Sequence, residues 1–331
     1  MLIRQTAPVF GAASKLVPEK GEWQVSLSYR GLKSDTHYSG TERQRQRERE
    51  GTFVINTQQA LDLGISYTAS NRLSFTLGIP VIKSSWAVPT PIRPEPGPRA
   101  KQEASGLGDV SLTGRYWLFS PESRHNVSLG LGIKAPTGDH NVTQRYPNID
   151  GTNSSLKAVD QSVQPGDGGW GLLLDAQAFR PLGKATLFAS GTYLANPRDT
   201  NGTPSIIVGL GFANSPGFAQ EGLLVNSVPD QYLVRMGAVM PVGQTGLGVS
   251  LAYRVEGLPR YDLIGDSHGW RRPGYEMFVE PGLTVSKGGS TWSLHVPIGF
   301  HRNREANPYS GREGDATFPD FILLTGFSQR F

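Results

Sequence analysis

The 331-residue sequence predicts an all-β fold: a transmembrane, antiparallel, up-and-down β-barrel of twelve strands. Three observations carry that expectation. The chain closes on Phe321-Ile322-Leu323-Leu324-Thr325-Gly326-Phe327-Ser328-Gln329-Arg330-Phe331, a terminal aromatic with apolar residues two apart behind it. Twelve segments place apolar residues at every second position, the period of a strand with one greasy face. Their connections alternate between short and long, the layout of barrels with periplasmic turns, long outer loops and both termini in the periplasm.

Composition is compatible with this. Apolar residues make up 37% of the chain, and no run approaches the roughly 18 apolar residues of a membrane-spanning helix. A barrel strand shows lipid only its alternate residues, so low hydropathy does not count against it. Cysteine is absent, which suits an oxidising envelope. The net charge of +4 is small and spread along the chain, so no nucleic acid partner is expected. Met1 to Val17 contains Arg4, Lys15 and only a short apolar stretch, Ala7–Ala13. That falls short of an export signal, so a mature or re-started form is expected, with residues 1–20 a periplasmic N-terminal segment and 21–331 the barrel.

In order, the outward-facing sets are Trp23, Val25, Leu27 and Tyr29, then Phe53, Ile55, Leu61, Leu63, Ile65 and Tyr67, then Leu73, Phe75, Leu77, Ile79 and Val81. The fourth strand shows Val110, Leu112, Tyr116 and Leu118, and the fifth Val127, Leu129, Leu131 and Ile133. The sixth has Trp170, Leu172, Leu174 and Ala176, and the seventh, a weaker pattern, Ala185, Leu187, Ala189 and Tyr193. Tyr232, Val234, Met236, Ala238 and Met240 mark the eighth, and Leu247, Val249, Leu251, Tyr253 and Val255 the ninth. Tyr275, Met277, Val279, Leu283 and Val285 mark the tenth, and Trp292, Leu294, Val296, Ile298 and Phe300 the eleventh. The C-terminal segment is the twelfth.

Short turns fall at 69–71, 120–124, 180–184, 243–246 and 286–290, and long loops at 30–51, 84–105, 137–169, 194–230, 257–274 and 302–319. Trp170, Tyr193, Tyr232, Tyr253, Tyr275 and Phe300 sit at loop-side strand ends, and Trp23, Tyr67, Trp292 and Phe331 at the turn side. Two such belts are expected where aromatic rings meet lipid headgroups. Ser205–Phe212 also alternates, and with Gly222–Val225 it would make fourteen strands. Twelve is favoured because a spanning strand needs about 9–11 residues.

Strand spacing and tilt give a twelve-stranded cylinder roughly 24 Å across, narrower than a wide porin. The inward phase carries Asp62, Asp109, Asp175, Glu276 and Glu280 beside Arg115, Lys134, Arg235 and Arg254, with His295 also inward. Two readings stay open: a structural ladder of ion pairs, or a polar constriction lining a pore. So balanced a set predicts little charge selectivity.

Outside the strands, Pro204–Val225 is unusually apolar for an outer loop. Ile206, Val208, Leu210 and Phe212 are its lid candidates, either folding into the mouth or packing on the rim. The run Arg43-Gln44-Arg45-Gln46-Arg47-Glu48-Arg49-Glu50, read as extended chain, turns its arginines outward toward lipopolysaccharide phosphates; a solvated charged loop is the alternative.

No enzyme is expected. The histidines are His37, His125, His140, His268, His295 and His301, and no His-x-Ser-Asn-Gly or Gly-x-Ser-x-Gly pattern accompanies them. Asn148–Asn153 is only weakly calcium-like, so no metal or cofactor is expected.

Three stretches, Gly106–Tyr116 (GLGDVSLTGRY), Gly130–Asp139 (GLGIKAPTGD) and Ser227–Tyr232 (SVPDQY), resemble a family of outer-membrane transporters associated with meta-pathway phenol degradation. The resemblance runs from about Gly21 to Phe331. It implies a bacterial outer-membrane protein passing aromatic or other poorly soluble compounds, and it transfers no catalytic residues. Gln329 departs from the apolar residue usual two before the terminal aromatic, a position read by the barrel-assembly machinery. The expected function is therefore an outer-membrane channel or porin-like transporter for small solutes, hydrophobic or aromatic ones included. Its expected partners are outer-membrane lipid, lipopolysaccharide, a small-molecule solute and that machinery. The alternative is a non-transporting structural or partner-binding barrel.

Overall fold

The computed structural model describes residues 17, 19–309, 311 and 314–331. Twelve strands span: β1 Trp23–Ser39, β2 Ile55–Thr68, β3 Leu73–Pro89, β4 in two pieces (Arg99–Leu107 and Ser111–Trp117), β5 Asn126–Lys134 and β6 Gly171–Leu182. They continue with β7 Ala185–Ala195, β8 Gln231–Pro241, β9 Leu247–Leu258, β10 Gly274–Lys287, β11 in two pieces (Ser290–His295 and Ile298–Arg304) and β12 Ala316–Arg330. Each pairs antiparallel with the next. β1 pairs with β12 from Gln24↔Arg330 to Tyr38↔Ala316, which closes the cylinder. Closure leaves no sheet edge unsatisfied in lipid.

The two phases separate cleanly. On β5, Leu129, Leu131 and Ile133 are more than half exposed while Ser128, in the other phase, is 0% exposed. An outward surface of such residues belongs in a bilayer rather than in water. At the turn side Trp23 packs on Tyr67 and Trp292 on Phe327, with ring centroids 4.8 and 4.3 Å apart.

The structure corrects several expected boundaries. β1 and β3 run through stretches read as loops, to Ser39 and Pro89. Ser84 to Thr90 is buried residue after residue, because outer loops pack on the face that lipid covers lower down. Without a lipid side, the two-residue period vanishes. The run 43–50 is not extended: Arg45–Arg49 forms a short helix. Arg43, just before that helix, bonds Glu48 within it at 2.8 Å. Ser205–Phe212 is not a strand either, since Ile206–Gly209 is helical. Two small hairpins, Thr143–Tyr146 with Ser155–Ala158 and Thr200–Pro204 with Val225–Ser227, stand above the barrel.

The wall is weakest between β11 and β12. Pro297 breaks β11, having no N–H to donate, and above Ile298↔Phe321 no residues of the two strands pair. Pro319 lies on the facing edge. Arg302 bridges the seam with its side chain, donating to the Pro319 carbonyl (2.9 Å) and to Glu276 Oε1 (2.8 Å). A bridge between Gly40 and Arg304 closes the seam above.

Candidate functional site

The strand phase delivers charged side chains into the lumen, where they meet in groups. On β8–β11, Arg235 donates to Glu280 (2.7 Å), Arg254 donates to Glu256 (2.7 Å) and approaches Glu280 (3.5 Å), and His295 Nδ1 lies 3.3 Å from Glu280. Arg30 of β1 reaches across to Glu256, one bond at 3.1 Å and a second shorter one. Glu276 accepts from Arg302. Arg254 and Glu280 are 0% and 1% exposed. Ions so dry require partners and hydrogen bonds, and these have both.

A second group joins Arg115 to Asp175 (2.7 Å), with Thr192 Oγ1 donating to Asp175 at 3.2 Å. A third sits at the break in β4. There Lys134 donates to Asp109 (3.2 Å), to Asp167 and to the Gly169 carbonyl (2.8 Å), while Gly138 N donates to Asp109 (3.0 Å). Asp62 lies half-buried, opposite Ser28 and Pro80. The structure thus brings nine of the ten candidates into these groups, and places Asp62 on the inner face of β2. Sequence reasoning missed Arg30, Glu256 and Arg302 as members. Arg30 continues the Ser26 and Ser28 phase by one step, and Glu256 shares the phase of Arg254, so both carried a usable signal.

The opposite wall is lined differently. Asp62, Gly64 and Ser66 of β2, Thr76 and Gly78 of β3, and Ser111 and Arg115 of β4 are only half-buried. Apart from Asp62 and Arg115, the side chains of this set are small. At the turn end, Trp117, Phe179, Phe188, Val239 and Ala252 point inward and pack around Val17. Trp117 and Phe179 meet edge to face at 5.8 Å. This inward apolar girdle was not expected, because a search for one apolar phase passes over apolar residues in the other.

At the loop end lies a cavity of about 530 Å³. Trp86, Val88, Ile92, Ile149 and Trp270 form much of its wall, and Glu256 and Glu276 reach it from the strands below. The loop Pro204–Val225 folds over it. Ile206 (2% exposed), Ile207, Leu210 and Phe212 line the cavity. Val208 does not: helical rather than extended backbone puts residues 206 and 210 on one face and turns 208 away. The lid is clasped to the neighbouring hairpin. Lys157 Nζ donates to the Gly209 carbonyl (2.9 Å) and Ile149 N to the Leu210 carbonyl (3.1 Å). A Cβ on Gly209 would fall 2.1 Å from Tyr146 Oη, so a larger residue there would have to displace the tyrosine. Arg47, expected to face outward, points in and pairs with Asp315 at 3.1 Å.

Arg272 Nη1 donates to Asp160 at 2.9 Å and so ties two outer loops together, while Arg271 Nη1 donates to Asp262 at 2.8 Å within one loop. Burial opposes ionisation of Asp160, but Arg272 and the Ser162 hydrogen bonds outweigh it and hold the carboxyl below its ordinary range. Burial pushes the Asp230 carboxyl up, despite hydrogen bonds from Leu263 N and Asn196 N.

No family model matches the chain, and no curated protein does. Among solved structures, the fold is similar to the COG4313 outer membrane channel from Pseudomonas putida F1. That likeness has a TM-score of 0.61 at 12% identity and covers 96% of this chain and 97% of that one. More distant likenesses include the translocator domain of the autotransporter NalP from Neisseria meningitidis (TM-score 0.46, 11% identity, 95% and 90% covered). The Pseudomonas putida toluene transporter TodX is another (TM-score 0.44, 9% identity, 94% and 90% covered). Only the first is near enough to speak to the fold. A closed twelve-stranded cylinder with a greasy exterior, aromatic rings near its ends and a polar interior is a β-barrel of the bacterial outer membrane.

Proposed function

We propose that this protein is an outer-membrane channel that takes small apolar solutes into its mouth cavity and passes them along the small-residue side of the lumen. The observation that carries the reading is the cavity itself. An outer loop of a water-facing surface would ordinarily be polar, yet this one lends Ile206, Ile207, Leu210 and Phe212 to the wall of a space of about 530 Å³. That volume suits a compact organic molecule. The resemblance to transporters associated with phenol degradation supports an aromatic solute. The lumen charges then act as fixed packing on one wall and as a polar lining on the other, with Asp62 and Arg115 facing the path.

Liposomes carrying the full chain test this. Uptake of a small aromatic such as toluene should exceed that of protein-free vesicles, and removal of Ile206–Phe212 should change it while the barrel still folds. If that deletion lowers only the melting temperature, the loop is rim packing and the solute reading fails. A second reading, a non-transporting barrel, draws on the dryness of Arg254 and Glu280. It predicts no conductance in planar bilayers.

A further inference from the structure

The charges around the mouth cavity do not cancel. Arg47 pairs with Asp315, Arg271 with Asp262 and Arg272 with Asp160. Glu276 is held by Arg302, and Glu256 by Arg30 and Arg254. Arg304, at the top of β11, also lines the cavity and is 3% exposed. Its guanidinium donates only to main-chain carbonyls: Pro273 at 2.8 Å, Glu305, and Arg271 at a long 3.4 Å. Its Nε–H has no acceptor. Among the described residues no carboxylate lies within ion-pairing reach of it.

A buried cation without a counter-charge is costly. Neutral carbonyls solvate it in part, and Asp315 and Glu305 act on it only from beyond ion-pairing distance, so the guanidinium keeps room for a carboxylate in direct contact. Guanidinium is the side chain best shaped to receive a carboxylate through paired N–H groups. The rest of the cavity wall is mainly apolar, with Trp270, Ile92, Ile149 and Leu210 among its residues. We propose that the mouth cavity selects apolar molecules bearing a single carboxylate, with Arg304 receiving that group and the aromatic and aliphatic wall receiving the body. This rests on the cavity being a solute site, and it narrows the solute from apolar compounds in general to amphipathic monocarboxylates.

Equilibrium dialysis of the full chain in detergent micelles, with protein-free micelles as the blank, tests it. The probes are 4-phenylbutyrate, its alcohol 4-phenylbutan-1-ol and its amine 4-phenylbutylamine. The acid should bind about tenfold or more tighter than the alcohol, the scale of a charge-assisted hydrogen-bond pair, and the amine weakest. Arg304→Gln should bring acid and alcohol within about twofold of each other while alcohol binding persists, and Arg304→Lys should keep part of the preference. Equal binding of acid and alcohol by the wild type, or a preference that survives Arg304→Gln, overturns the assignment and leaves the apolar cavity standing. Binding of neither probe overturns both. Should Arg304→Gln not fold, the wild-type acid and amine decide alone, and an amine bound as tightly as the acid overturns the proposal.

Discussion

The two sides of the lumen belong to one closed sheet and contrast in the side chains that fill them. On the β8–β11 side, Arg235, Arg254, Glu256, Glu276 and Glu280 interlock and are almost wholly buried. On the β2–β4 side, Gly64, Ser66, Thr76, Gly78 and Ser111 stop short of the axis and remain half-buried. Strand number sets the width of a barrel, but side-chain volume decides how much of that width is open. Long charged residues here act as a wall lining, held by one another. On the proposed channel reading, the passage runs along the side where the residues are small.

The sharpest way to break this comparison is to remove the carboxylate that both β8 and β9 arginines share. Glu280→Leu leaves Arg235 and Arg254 short of a partner in a dry setting, and should cost about 3–5 kcal/mol, the scale of an orphaned buried charge. Heat-dependent gel mobility or circular dichroism in detergent would show it. A melting curve like the wild type's would mean that the packed side is wetter than its burial implies.

Filling the other side should affect flow more than stability. Ser111→Trp, pointing into the half-open lumen beside Gly78, should lower single-channel conductance about twofold or more, since conduction follows the narrowest polar section. Unchanged conductance would move the path elsewhere.

Acid offers a milder probe of the loops above. The Asp160 carboxyl, held below its ordinary value of 3.8, contributes stability that is complete above that value and fades as pH falls through its folded-state range. Protease cleavage of the 137–169 loop should therefore stay slow from neutral pH down to about 4 and rise below it. Asp160→Asn should raise it at neutral pH and flatten its rise in acid. At the small end, Glu50→Gln removes only the exposed pair with Arg93 and should shift stability by about 0.5 kcal/mol or less in the same melts. A larger loss would show that the short Arg45–Arg49 helix holds the mouth.

How far the sequence could be read depended on where the two strand faces meet different surroundings. Within the membrane band, lipid on one side and lumen on the other impose a period of two, and the twelve strands and the inward phase of Asp175, Arg235 and Glu280 followed from that period alone. Where the band ends, the contrast ends. Ser84 to Thr90 lost its alternation because loops cover both faces. Ile206 to Leu210 kept an alternating look while folding as a helix against Tyr146.

What the sequence by itself determined is the closed barrel, its greasy exterior and the list of charges turned inward, since these depend on neighbours one and two residues away. Which charge meets which was decided only in three dimensions. Arg30 and Glu256 lie 226 residues apart and touch because β1 and β9 curve to opposite parts of one ring. Among the described residues Arg304 has no acid in ion-pairing reach, and the fold brings it to main-chain carbonyls instead. Local pattern records the solvent on each face of a strand; pairing across a lumen depends on closure, and closure is a property of the whole chain.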